Sequence, residues 1–148
     1  MKLNVRRTFT TTSSPDVVFA FLADFRTAET WDPGTVSCSL ISGEVGPGAT
    51  YRNVSEFLGR ETTLTYATLV HEPATRLHFQ GTNDSFTGDD RLGFTPSGSG
   101  TEVEYHATFE LRGASALAGP VVAAYLPFLA KKTIKQLKAT LDALPGRP

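Results

Sequence analysis

The sequence predicts an α+β fold in which a curved seven-stranded antiparallel sheet wraps around one long C-terminal helix, with two short helices after the first strand. Three observations predict it. Residues alternate in character along 2–12, alternation returns after Gly34 and persists to about residue 112, and the period turns helical from about 114 to 144.

Leu3, Val5, Arg7, Phe9 and Thr11 share one parity of the first segment and Asn4, Arg6, Thr8 and Thr10 the other, the period of a half-buried strand. Ser13-Ser14-Pro15-Asp16 then supplies a helix start: a capping serine, a proline preset for the first turn and an aspartate at the positive end of the dipole. Val18, Phe21, Leu22 and Phe25 follow at helical spacing, and a second short turn over Thr27 to Trp31 stops before Pro33-Gly34. Six strands are then expected near 35–43, 49–58, 60–72, 75–83, 85–96 and 101–112, separated by Gly46-Pro47-Gly48, Leu58-Gly59-Arg60, Glu72-Pro73, Asn83-Asp84 and Ser97-Gly98-Ser99-Gly100. In the last segment Val122, Leu126, Leu129, Thr133, Leu137 and Leu141 fall on or near one face, flanked by Lys131, Lys132, Lys135 and Lys138. Pro120 suits the opening turn of this helix, Pro127 should kink it, and Pro145-Gly146 should end it.

A chain of 148 residues is long enough to build one core without a disulfide or metal staple, and no linker, repeat or low-complexity tract marks a second domain. The net charge of -1 lacks the basic excess that binding a phosphate backbone needs, so nucleic acid is not an expected partner. Cys38 is the lone cysteine, and His71, His78 and His106 have neither HxH nor i, i+4 spacing, so no metal or cofactor is expected. No apolar stretch follows Lys2, Arg6 and Arg7, and no run reaches about 18 consecutive apolar residues. The expectation is a cytoplasmic protein with no integral membrane segment. Nothing in the pattern specifies an oligomeric state.

Several segments together resemble the polyketide cyclase/dehydrase and lipid-transport superfamily, also called SRPBCC or START-like, over essentially the whole chain. They are Ser14-Pro15-Asp16-Val17-Val18-Phe19 leading to Leu22-Ala23-Asp24, Trp31-Asp32-Pro33, Gly46-Pro47-Gly48-Ala49-Thr50-Tyr51, Pro73 with Arg76-Leu77, Gly100-Thr101-Glu102-Val103, and the terminal amphipathic helix. The resemblance implies the helix-grip fold and a cavity for lipids, polyketides, steroids or similar molecules. These are scaffold signatures, and members of the superfamily include cyclases, transfer proteins and receptors, so the resemblance does not choose an activity.

Strand parity assigns side chains to faces. Val103, Tyr105, Ala107, Phe109 and Leu111 read as inward; pairing Phe94 with Val103 across the Gly98-Ser99 turn makes Phe86, Gly88, Asp90, Leu92 and Phe94 inward as well. Two charges therefore stand on apolar parities, Arg7 and Asp90. One reading pairs them at the cavity wall, with Tyr105 completing a cluster that orients the polar end of an apolar ligand. The other takes Arg7 to the sheet rim, its stem packed inside, and puts Asp90 on a bulge near Gly88. The three histidines read as surface or strand-edge residues. Trp31 is placed over the mouth of the sheet, as a stacking surface or a packing anchor. Tyr51 and Asn53 share a parity with Phe57, against Val54 and Leu58 on the other, and Tyr66 is equally open. On the last helix Val122, Leu126 and Leu129 read as core or as cavity lining, with Tyr125 as core or as a hydroxyl lent to the cavity, and the lysine face reads as solvated or as a membrane-surface contact.

The function expected is binding of a hydrophobic small molecule between sheet and helix, with Arg7, Trp31, Tyr51, Asp90, Leu92, Tyr105, Phe109, Val122, Tyr125, Leu126 and Leu129 lining the site. The alternative is a cyclase, aromatase or dehydratase using the same cavity, with Arg7 polarising a carbonyl and Asp90 or Tyr105 moving protons. A third reading makes the sheet edge or the lysine-rich helix a subunit contact.

Overall fold

A computed structural model describes residues 1–145. Its strands are β1 (Lys2–Thr11), β2 (Thr35–Ser42), β3 (Thr50–Phe57), β4 (Arg60–Glu72), β5 (Arg76–Thr82), β6 (Phe86–Ser97) and β7 (Gly100–Leu111). Helix α1 is Pro15–Leu22, and a 3₁₀ turn at Phe25–Thr27 leads into α2 (Ala28–Trp31). A second 3₁₀ turn, Gly113–Ala118, opens into α3 (Gly119–Asp142), which continues helically through Pro127. The α+β reading of the sequence therefore holds, with strand ends displaced by no more than a residue; the final helix, expected from about 114, starts at Gly119 because the residues before it form the 3₁₀ turn. Of the expected helix stop, Pro145 follows α3 and Gly146 lies outside the described residues.

The seven strands form one sheet in the order β1-β7-β6-β5-β4-β3-β2, antiparallel throughout. Strands β2 to β7 form a meander whose last strand is joined by β1. Since β1 and β2 stand at opposite edges, the segment between them must cross the sheet, and α1 and α2 are that crossing. The β6–β7 hairpin has the register expected from its two-residue turn: Phe94 opposite Val103, Leu92 opposite Tyr105 and Asp90 opposite Ala107.

Two apolar clusters fill the concave side. The larger joins α1, α2 and the second half of α3 to the sheet through Val18, Leu22, Phe25, Trp31, Leu77, Phe79, Leu92, Val103, Leu137 and Leu141. The smaller lies under the first half of α3 and contains Val5, Leu111, Val122, Leu126 and Ala130. Phe86 and Phe109, both only partly buried, touch each cluster and form the seam between them. Helical spacing gives α3 its two faces: Gly119, Val122, Leu126, Ala130, Thr133, Leu137 and Leu141 are its buried residues and the lysines are exposed.

Candidate functional site

Asp90 and Tyr105 project from neighbouring strands onto the concave face, and the Tyr105 hydroxyl donates a 2.8 Å hydrogen bond to Asp90 Oδ1. Burial pushes the Asp90 carboxyl up to about 7; the bond from Tyr105 works against that shift, while the charges of Asp32 and Asp89 add to it. Both Tyr105 and Tyr66 are held well above the ordinary phenol range, by burial first and then by the Asp90 carboxylate. The result is a carboxyl that exchanges its proton near neutrality, beside phenols that remain donors.

Two glycines make room for this cluster. Gly81 of β5 and Gly88 of β6 are direct cross-strand partners, so both lack a side chain at one spot of the concave face. The Tyr66 ring lies over Gly81, where an added Cβ would stand 2.4 Å from a ring carbon. A Cβ on Gly88 would meet the Phe86 ring at 2.9 Å and the Tyr66 hydroxyl oxygen at 3.6 Å. The trough thus brings Tyr66 beside the seam residue Phe86.

On the side of α2, Trp31 is buried, its Nε1 donates to Thr27 Oγ1 at 3.2 Å, and its ring meets Tyr105 edge-on at 6.3 Å between centroids. Burial pushes the neighbouring Asp32 carboxyl above its usual range, although it accepts from the Gly34 amide at 3.0 Å and the Thr35 hydroxyl at 2.9 Å. Thr35 also accepts from Asn53, whose amide oxygen takes a short hydrogen bond from Ser55. Tyr51 is fully buried between Phe25 and Phe79, with ring centroids 5.9 and 6.4 Å away, and its hydroxyl has no hydrogen-bond partner among the described residues. Tyr51, Asn53 and Tyr66 are therefore inward, which parity left open.

Other expected residues lie elsewhere. Arg7 does not pair with Asp90: it is exposed, and among the described residues its only side-chain hydrogen bond is to the Arg6 carbonyl oxygen at 2.9 Å and no ion pair includes it. The physical reason is its edge strand, since a long side chain there reaches water past the helix. Arg7 instead borders a hollow of about 230 Å³ between β1 and α3, shared with Leu3, Val5, Ala123, Leu126 and Pro127. Leu92 is buried against the larger cluster, while Val122, Leu126 and the partly buried Leu129 and Phe109 belong to the smaller. Tyr125 meets Phe57 edge-on at 5.3 Å, joining α3 to the tip of the β3–β4 hairpin.

His78 and His106 point to the convex face as parity indicates; His78 Nε2 is 2.6 Å from Asp89 and His106 Nδ1 is 3.4 Å from Arg6. His71 departs from the strand-edge expectation. A register shift between Thr68 and Val70 turns it toward α1, where its ring packs on Phe19 at 4.9 Å and its Nδ1 lacks a partner among the described residues. Parity reasoning missed Asp32 because it sits in a loop. The signal for the trough was available: a glycine inside a strand marks close approach, and two of them face each other here.

A family model described as polyketide cyclase / dehydrase and lipid transport matches residues 2–144. No curated protein sequence matches this chain. Solved structures do. A START superfamily protein from Mycobacterium smegmatis superposes with a TM-score of 0.79 at 18% identity, covering 96% of this chain and 99% of that one. The Zhui aromatase/cyclase from Streptomyces sp. R1128 gives 0.76 at 17% identity, with 99% and 100% covered. TTHA0849 from Thermus thermophilus gives 0.75 at 20% identity, with 95% and 94% covered. At these identities the structural likeness speaks for the fold, and the sequence model for descent. With a seven-stranded sheet curved around a long terminal helix and a family match over nearly its whole length, this chain belongs to the polyketide cyclase/dehydrase and lipid-transport family and has its START-like, helix-grip fold.

Proposed function

We propose that this protein binds a hydrophobic small molecule between the sheet and the first half of α3, as a single folded domain acting in the cytoplasm. The observation that carries the reading is the Asp90–Tyr105 pair: a carboxyl and a phenol bonded to each other, without a cationic partner among the described residues, on a concave face lined mainly by apolar side chains. Such a pair is a polar anchor for one end of an apolar ligand. The protonated carboxyl donates to a carbonyl and the ionised one accepts from a hydroxyl. Tyr66, Trp31 and Leu92 surround this anchor, while Tyr51 lies deeper. Phe109, Val122, Tyr125, Leu126 and Leu129 form the apolar side, which gives way where the partly buried aromatics of the seam meet. Arg7 is left out of the anchor, because it faces solvent. Apolar burial supplies the driving force, at about 25 cal/mol per Å², and the anchor sets orientation.

The test is mass spectrometry of the freshly purified protein, native and after solvent extraction, followed by titration with fatty acids, sterols and aromatic polyketides. The expected result is a lipophilic compound retained by the wild type and weakened on Asp90→Asn together with Tyr105→Phe. Retention unchanged in the double variant would remove the anchor; no uptake of any ligand would remove the binding reading.

A second reading is favoured by one observation, the titration of Asp90 near neutrality, which suits a group that gives and takes a proton. In that reading the protein is an aromatase, cyclase or dehydratase acting on a poly-ketone in the same place. Turnover of such a chain, lost in Asp90→Asn while binding persists, would select it.

A further inference from the structure

The outer face of the second 3₁₀ turn and α3 carries large apolar side chains in water: Leu117 is 85% exposed, Val121 59% and Phe128 72%. With Ala124 they fall at i, i+4, i+7 and i+11, so they form one stripe opposite the face that packs on the sheet. Further along the same outer side come Lys131, Lys132 and Lys135, all exposed, and among the described residues none is in an ion pair. No aspartate or glutamate occurs between Glu110 and Asp142. An apolar tip followed by unbalanced positive charge is therefore built along one helix face.

Charge selects what covers this face. In a parallel pairing of two copies, the lysines would stand against lysines; an antiparallel pairing would lay them over the apolar stripe. Neither supplies the missing negative charge. An anionic bilayer surface meets both needs at once, because apolar side chains enter the acyl boundary while ammonium groups stay at the phosphate level. The stretch Gly113–Asp142 is long and apolar enough to cross a membrane by length and composition alone, yet its inner side is packed on the sheet and its second half carries the lysines. That geometry suits lying on a bilayer rather than spanning it.

We propose that the outer face of α3 and the preceding 3₁₀ turn dock the protein onto anionic phospholipid membranes, with Leu117, Val121 and Phe128 inserted and Lys131, Lys132 and Lys135 on the phosphates. The proposal does not depend on what the interior binds.

The test is co-sedimentation of the full chain with phosphatidylcholine vesicles, with and without phosphatidylglycerol, at low and high salt. Association is expected only with the anionic vesicles and should weaken with salt. Phe128→Ser should reduce the partition more than about tenfold. Lys132→Ala and Lys135→Ala should each reduce it about fivefold. Circular dichroism should stay unchanged throughout, as these side chains face water. Should Phe128→Ser fail to fold, Val121→Ser and the lysine variants give the same readout. Absence of binding to anionic vesicles, or binding indifferent to all these substitutions, overturns the proposal. So does a concentration-dependent dimer that Phe128→Ser disperses while vesicles capture nothing, since the stripe would then be a self-association face.

Discussion

The two halves of α3 are held by different means. In the second half Leu137 and Leu141 are 0% exposed, and side chains tie the helix to its surroundings: Asp142 accepts from Thr11 Oγ1 at 2.6 Å, Gln136 donates to the Thr30 carbonyl at 2.8 Å and Lys138 to the Thr10 carbonyl at 2.6 Å. The first half, Gly119–Leu129, makes no side-chain hydrogen bond among the described residues. It rests on partly buried aromatics, borders a hollow of about 230 Å³ and turns large apolar groups outward. One half anchors the helix to the sheet. The other covers the proposed site and has few directional ties to break when a ligand enters.

The largest expected effect tests the anchor directly. Leu137→Ala should lower the unfolding free energy by about 2–5 kcal/mol in denaturant titrations, as deletion of a fully buried leucine does. Val122→Ala, which deletes two methylene equivalents from the first half, should cost about 1–2 kcal/mol. Equal costs would erase the contrast between the halves.

Next comes Asp90, on the same sheet row as Val5, where the first half of α3 makes its contact. Its folded pKa of about 7 lies above that of an unfolded aspartate, so the folded state keeps a proton that the unfolded chain has released. Its contribution to stability therefore falls as pH rises from about 4 to 7 and levels off above, with a limiting slope of about 1.4 kcal/mol per pH unit. Asp90→Asn should flatten that decline and be the more stable protein at pH 8. Unfolding curves of the two proteins across pH measure the difference. A parallel pair of curves would mean that Asp90 is solvated and ordinary.

A smaller effect is expected at Asp142. Burial alone would raise its carboxyl, but hydrogen bonds from Thr11, Thr12 and Lys138 outweigh that and hold it below the usual range. Stability from this group is present at neutral pH and is lost as acid protonates it. Asp142→Ala should cost about 1 kcal/mol at pH 7, discounted for its exposure, and less in acid. The smallest effect is Phe128→Ser, expected to stay within about 0.5 kcal/mol of the wild type by the same measurement. A large loss there would show that the outer stripe is part of the fold.

Much of the fold was legible because strands alternate and turns have their own chemistry. Gly98-Ser99 set a two-residue hairpin, and that register alone places Asp90, Leu92 and Tyr105 on one face. Parity failed where geometry departs from a regular interior strand. Arg7 shares the apolar parity of β1, but on an edge strand that parity leads past the helix into water. His71 follows a shift in register, which turned it inward. Asp32 belongs to a loop, where no period exists to read, and the burial of the Tyr51 hydroxyl depends on packing from several elements at once.

One consequence of the strand order concerns how the protein is made. In the β1–β7 pair, Lys2 meets Glu110 and Thr11 meets Thr101, so the first strand of the sheet to be synthesised must wait for the last one. Until β7 emerges, β1 has no neighbour, and until α3 follows, the concave face has no cover. Pairings this distant in sequence form slowly and leave sticky surface bare meanwhile. Nascent chains arrested before residue 100 should therefore be held by chaperones and cut by proteases throughout this domain, with protection arriving in a single step once β7 and α3 have emerged.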